Sequence, residues 1–253
     1  ATLSTRMAGA HDDALRLARR ITAFVDPQMR VSYVQHTIAG MEPGEVADIL
    51  MVAMHGAEAR DGDIGALLLA LCLALAQEAS EELRRAIVRE ARLRGQHDTA
   101  ALLQPREAER VNDEPLDVPD FGKGRAVTLG ERKALARTRD RDLLARVLRD
   151  PSPDVIRILL CNPTLTEDDV VRLCSRRPVA AEVLREVFRH TRWVVRYRVR
   201  RSMVKNPFCP VDLALLLAAH LTAPDAREIV ESPELSLPVR EACRRVAGMA
   251  TIH

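Results

Sequence analysis

Apolar residues recur every three to four positions through most of this chain, with polar residues between them. That spacing is typical of amphipathic helices that pack against a core. In residues 1–103 the fourth predicted helix is so apolar, from Leu67 to Leu75, that we expect it to be buried on most sides. This part is therefore predicted to be an N-terminal helical domain, a bundle or an armadillo-like set. Its six helices are predicted over about 11–25, 29–40, 45–56, 61–75, 80–94 and 97–103.

The helical period is lost in residues 104–127. This stretch has mixed charge, few apolar side chains and a high density of prolines and glycines, namely Pro105, Pro115, Pro119, Gly122 and Gly124. A segment of this length without secondary structure is typical of a domain boundary. We interpret it as a linker or as a long ordered crossing segment.

The second half repeats a two-residue phrase, in which Asp, Asn, Arg or Ser is followed by proline. Each copy of the phrase precedes an apolar helix. Proline cannot continue a helix and biases the residue before it away from the helical region, so each phrase is a stop and a restart. Short helices cannot bury an apolar face alone, but stacked helices form a continuous core. We therefore predict an all-α fold with a HEAT/armadillo-like solenoid over 128–253. The phrases are Asp150-Pro151, Asn162-Pro163, Arg177-Pro178, Asn206-Pro207 and Ser232-Pro233.

Two stretches, 150–166 and 195–210, resemble leucine-rich repeat variant units, which are HEAT-like helical repeats of bacteria. The resemblance covers roughly residues 140–250 and implies a curved superhelix that is used for binding in a bacterial protein. The founding type of that family also carries an N-terminal cysteine cluster for an iron–sulfur cofactor. This chain has only Cys72 in its first 150 residues, so the resemblance does not extend to that cofactor.

The composition narrows the class of protein further. Charged residues make up 29%, hydrophobic residues 47% and aromatic residues 3%, which fits a soluble globular protein and argues against a β-sandwich or barrel. No apolar run approaches the roughly 18 residues of a membrane span, and no signal-peptide pattern is present, so we expect a cytoplasmic protein without membrane contact. The cysteines are far apart, which predicts reduced, buried thiols and no metal or redox cofactor.

No sequence motif for a catalytic nucleophile, a phosphate-binding loop or a dinucleotide-binding turn is present, so we do not expect an enzyme. The most distinctive feature is the basic stretch 172–205, whose only acidic residues are Glu182 and Glu186. Residues 195–200 alternate as a strand would, but the flanking helices and the Asn206-Pro207 stop favour a helix, in which Arg192, Arg196 and Arg200 form a basic stripe along one face. The alternative is that these arginines pair within the molecule with acids of neighbouring repeats, for example Asp168, Asp169, Glu182 or Glu186.

We predict a basic groove that docks an acidic partner, which makes the chain a non-enzymatic adaptor or scaffold for protein–protein interaction. The alternative functions are a nucleic-acid-binding helical-repeat protein and a structural subunit of a larger assembly. Trp193 is either a core residue or a stacking platform, and His190 is a candidate member of an anion site. The oligomeric state does not follow from the sequence. The predicted partner-binding residues are Arg189, Arg192, Trp193, Arg196, Tyr197, Arg200 and Arg201.

Overall fold

The fold is all-α, as predicted. The computed structural model describes residues 3–112 and 114–249, and this part contains sixteen α-helices, one short 3-10 helix and one isolated β-bridge. No β-strand occurs among the described residues. The helices pack around one continuous apolar cluster that runs from the first helix to the last.

The N-terminal part consists of six helices, and the fourth of them lies at the centre. Every residue of the fourth helix from Leu67 to Leu75 is buried, and Leu67, Leu71 and Leu75 are fully buried, which confirms the prediction for this element. Asp61 starts it by accepting hydrogen bonds from the backbone N–H groups of Asp63 and Ile64. The helices are α1 Leu3–Thr22, α2 Pro27–Ala39, α3 Pro43–Glu58, α4 Gly62–Leu75, α5 Glu81–Leu93 and α6 His97–Leu102, with the 3-10 helix Glu78–Ser80 before α5.

The C-terminal part is a stack of shorter helices, each separated from the next by a tight turn. Most span seven to ten residues, and the repeated proline phrases fall between them. These helices are α7 Leu129–Leu135, α8 Arg141–Val147, α9 Pro153–Leu160, α10 Glu167–Ser175, α11 Ala181–Arg189, α12 Thr191–Val194, α13 Tyr197–Val204, α14 Val211–Ala218, α15 Ala223–Val230 and α16 Leu237–Val246.

The asparagine of the repeated phrase joins one repeat to the next. The buried Asn206 amide donates hydrogen bonds to the carbonyls of Cys174 and Arg176, at 2.7 and 2.9 Å, and accepts one from the N–H of Phe208. Asn162 makes equivalent bonds earlier in the stack, to the carbonyls of Ala136 and Thr138 and from the N–H of Thr164. Each side chain thus donates to carbonyls that are left unpaired at the end of a helix 24 to 32 residues earlier in the chain.

The segment 104–127 crosses the repeat stack and is held to it. The N–H of Arg110 donates to the carbonyl of Pro207 at 3.0 Å, and the N–H of Val211 donates to the carbonyl of Glu107 at 3.3 Å. The Asn112 amide donates to the carbonyl of Val179, and Phe121 is buried. Of the two alternatives, a linker or an ordered crossing segment, these contacts favour the ordered crossing segment. The division into separate domains stays a prediction.

The two halves also contact each other directly, through α2 with α12 and through α6 with α14. Thr191 donates a side-chain hydrogen bond to Gln28 across this junction. None of the described helices alone has the length and hydropathy of a membrane-spanning helix; the pair Gly62–Leu75 and Glu78–Leu93, bent by 93°, meets the criteria only in combination.

Candidate functional site

The basic stretch does not form the continuous helix that the sequence predicts. Arg189 ends α11, α12 ends at Val194, and Arg196 has an extended backbone (φ −75°, ψ 124°) before α13 begins. Arg192, Arg196 and Arg200 therefore do not share one helical face, and the prediction of a single basic stripe is wrong. The bend allows two apolar sets, one around Trp193 and one around Val199, to reach the core.

Trp193 is a core residue and not a binding platform. Its side chain is 2% exposed, and its indole N–H donates to the carbonyl of Leu160 at 2.8 Å. The guanidinium of Arg192 lies 4.2 Å from the ring centroid. Of the two alternatives for this residue, the structure confirms the core and leaves no free face for a base to stack on. Its place among the partner-binding residues is a wrong prediction.

Arg200 is half-buried and closes the end of the preceding helix. Its Nη1 donates to the carbonyl of Val195 at 2.9 Å, and it lies 6.0 Å from the centre of the Tyr197 ring. Burial lowers the pKa of Arg200. Among the described residues it has no carboxylate partner, so its charge is balanced only by backbone carbonyls. It does not belong to an exposed stripe.

Three more predicted partner-binding residues are engaged inside the molecule. Arg189 pairs with Glu186 at 2.9 Å, and Arg201 pairs with Asp225 at 2.7 Å and with Glu228. The Tyr197 hydroxyl donates to Asp225, and this bond is the main reason that the pKa of Asp225 is lowered. These residues join α13 to α15 and stabilise α11.

Other arginines of the same stretch connect consecutive repeats in the same way. Burial acts to raise the pKa of Glu186, but the hydrogen bond and charge of Arg157 outweigh it and the pKa is lowered. Arg185 and Asp212 form a similar pair in which both side chains are largely buried. The inter-repeat ion pairs are Lys133–Asp154, Arg157–Glu186, Arg185–Asp212, Arg141–Asp169, Arg198–Asp168 and Arg201–Asp225, with distances of 2.6 to 2.9 Å.

The sequence carries a signal for these ion pairs, but the paired residues are too far apart along the chain to be seen within one helix. Arg157 and Glu186 are 29 residues apart, Arg185 and Asp212 are 27 apart, and Asp168 and Arg198 are 30 apart. Opposite charges thus recur at the spacing between neighbouring repeats. The alternative in which the arginines pair with acids inside the molecule is the one that the structure shows for most of the stretch, although only Arg172 and Arg198 pair with Asp169 and Asp168.

Within 172–205, two arginines remain both exposed and without a carboxylate partner among the described residues. Arg192 makes only a 3.4 Å contact with the carbonyl of Leu165 and the contact with Trp193. The side chain of Arg196 makes no hydrogen bond or ion pair with any residue that the structure describes. We call these two residues the exposed arginine pair. They lie four residues apart on a turn that Trp193 anchors in the core.

His190 lies beside Cys161 at the edge of a cavity of about 550 Å³. Its Nε2 is 3.7 Å from the Cys161 sulfur, and its Nδ1 is buried without a hydrogen-bond partner. Burial, followed by the charge of Arg192, lowers the pKa of His190. The ring is therefore neutral near pH 7, which weakens its candidacy as part of an anion site.

The cysteines are free, but they are not all buried as we predicted. Cys161 is exposed at the end of α9, where the helix leaves the core. Burial raises the pKa of the other four thiols, that of Cys243 to about 12. The buried thiols are Cys72, Cys174, Cys209 and Cys243. No group of three or more His, Cys, Asp or Glu residues that could hold a metal ion occurs in residues 3–112 and 114–249.

Comparison of the chain with protein-family models, with curated proteins and with solved structures finds no significant match.

Proposed function

We propose that this chain is a non-enzymatic helical-repeat adaptor that docks an acidic segment of a protein partner at the exposed arginine pair. One observation carries the proposal. In the most basic stretch of the chain, the side chains of Arg192 and Arg196 are exposed and lack a carboxylate, whereas most of their neighbours already have one. A partner carboxylate would fill the role that an intramolecular acid fills elsewhere.

The geometry of the turn supports this role. The backbone between α12 and α13 is fixed on one side by Trp193 in the core and on the other by Val199. The fixed backbone limits where the two guanidinium groups can reach, and each offers a planar fork that matches a carboxylate. Two exposed charge contacts of about 0.5–1 kcal/mol each favour a moderate, salt-sensitive interaction.

The binding test uses two fluorescein-labelled peptides, one rich in Asp and Glu and the other with Asn and Gln at the same positions. We expect fluorescence anisotropy to show binding of the acidic peptide only, with an affinity that falls as salt rises. The double variant R192E/R196E should weaken binding roughly 10- to 100-fold, because it removes two attractions and adds two repulsions.

The matched control is R89E/R149E, which changes the net charge equally at two other exposed arginines without a carboxylate partner in the described part. It should bind the peptide within about twofold of the unmodified protein, apart from a small effect of net charge. Equal losses in both double variants would show that only overall charge matters. Equal binding of both peptides would also contradict the proposal.

A labelled DNA duplex in the same assay separates the nucleic-acid alternative. If the chain bound DNA, the logarithm of the affinity would fall with the logarithm of salt by about 0.9 per phosphate contacted. Tight DNA binding with such a slope and no binding of the acidic peptide would replace the proposed function with that alternative.

A further inference from the structure

A cleft of about 440 Å³ lies between the two halves of the molecule. On one side are α2, the end of α3 and α4; on the other are the turn at Val195, α13 and the end of α14. Pockets that bind small molecules have volumes of about 300 to 1,000 Å³ and occur preferentially where two structural units meet. The size and position of this cleft are those of a ligand site.

The floor of the cleft is apolar. It is formed largely by one face of α4, with Ala66, Leu69 and Leu73, and is continued by Val31 and Leu221. Gly65 faces the opposite wall, and a Cβ atom at this position would lie in ordinary van der Waals contact with the His220 ring, 4.0 Å away. Such a floor favours an apolar ligand body by removing its surface from water.

The rim carries three arginines that have no ion-pair partner among the described residues. Arg30, Arg60 and Arg200 line the cleft, and none of them forms an ion pair with a described carboxylate. Arg30 donates to the carbonyl of Phe24 at 2.8 Å, and Arg60 donates to the carbonyl of Val246. Hydrogen bonds to backbone carbonyls thus hold these arginines in place. Their positive charge has no ion-pair partner among the described residues.

The two acidic residues of the lining are already occupied. Asp61 accepts hydrogen bonds from two N–H groups at the start of α4, at 3.0 and 3.1 Å. Glu58 lies 3.7 Å from Arg245. Neither forms an ion pair with Arg30 or Arg200, and the lining holds three arginines against these two carboxylates.

Two further polar atoms at the cleft have no partner. Both the Nε of Arg200 and the Nε2 of His220 are buried without a hydrogen bond. A guanidinium that is half withdrawn from water and has no counter-ion is unfavourable unless something supplies the opposite charge. A ligand anion in the cleft would do so, with a small rotation of the side chain to present the free nitrogen atoms.

We propose that this cleft binds a small organic acid, whose apolar body lies on α4 and whose carboxylate meets Arg200 beside His220. The site is separate from the exposed arginine pair, so it adds a ligand to the proposed adaptor and does not depend on that function. Because the ligand contacts both halves, its binding stabilises their junction.

The probes are octanoate, octanol, octylammonium and inorganic phosphate, tested by isothermal titration calorimetry and thermal unfolding. Octanoate combines chain and carboxylate, octanol lacks the charge, octylammonium reverses it, and phosphate lacks the chain. We expect octanoate to bind at least tenfold more tightly than octanol, and the other two to give no detectable binding. At a concentration near 100 times its Kd, octanoate should raise the melting temperature by roughly 5–10 °C.

Ala66→Phe fills the floor without touching a charge and should abolish octanoate binding while the helix content stays unchanged. The matched control, Thr37→Phe, fills a different cavity of about 490 Å³ between α1 and α2 and should bind octanoate normally. Arg200→Lys should keep part of the affinity, whereas Arg200→Gln should lose it. R192E/R196E should bind octanoate as the unmodified protein does, which separates this site from the docking site.

Three outcomes would overturn the proposal. The first is octanol binding as tightly as octanoate, which would show that the charge on the rim has no role. The second is full octanoate affinity in Ala66→Phe, which would place the ligand elsewhere. The third is no binding of octanoate up to about 10 mM, a concentration at which even an inefficient ten-atom ligand is detectable.

Discussion

Replacing Asn206 by alanine should destabilise the repeat stack. The amide makes three hydrogen bonds, two to carbonyls of the preceding repeat and one from the N–H of Phe208. The side chain is 2% exposed, so water cannot replace these partners in full. Each bond contributes about 1 kcal/mol, and we expect Asn206→Ala to lower the free energy of unfolding by about 3 kcal/mol.

Urea unfolding followed by far-UV circular dichroism measures this loss, and the denaturant slope should stay the same. Asn112→Ala is the control, because this side chain donates one hydrogen bond from the crossing segment, to Val179. It should lose about 1 kcal/mol or less. If Asn206→Ala loses less than about 1 kcal/mol, or no more than Asn112→Ala, the asparagine does not join the repeats energetically.

Three other predictions concern burial and exposure. A thiol reagent such as a disulfide-exchange dye should label one cysteine, Cys161, within minutes and the others only on unfolding; two rapidly labelled thiols would contradict the structure. Burial and the charge of Arg200 lower the pKa of His220 to about 4 from an ordinary 6.5. Because the unfolded chain takes up this proton first, stability should fall as pH falls from 6.5 to 4, by up to about 3 kcal/mol, and His220→Gln should lose less over that range. Trypsin should first cleave at the exposed Lys123. The two fragments should then stay associated, because residues 106–112 are hydrogen-bonded to the repeats. Early cleavage within 150–250 would contradict this prediction.

The helices could be predicted from the sequence because their signals are local. Apolar spacing, the Asp61 cap and the prolines act within a few residues, and the structure places helices where these signals do. The bond from Asn206 to Cys174 spans 32 residues, so the role of the asparagine could not be derived from the phrase itself. The proline explains the stop, whereas the asparagine explains how consecutive repeats hold together.

The wrong prediction for the basic stretch has the same origin. Nothing between His190 and Arg201 is a local helix breaker, so the sequence favours one helix. The break comes from the bond of Trp193 to Leu160, 33 residues away, and from Arg200, which caps the helix before it. The cleft could not be predicted because its two walls, with Arg30 and His220, come from opposite ends of the chain.

The most direct test compares two double variants that change the net charge equally. R192E/R196E alters the exposed arginine pair, and R157E/R185E alters two arginines that join consecutive repeats. In urea unfolding, the first should lose no more than about 1 kcal/mol, and it should bind the acidic peptide roughly 10- to 100-fold more weakly. The second should lose at least about 3 kcal/mol, because Asp212 and Glu186 are left largely buried with like charges beside them. Equal losses of stability in the two variants, or full peptide binding by R192E/R196E, would contradict the division of this stretch into structural pairs and a docking pair.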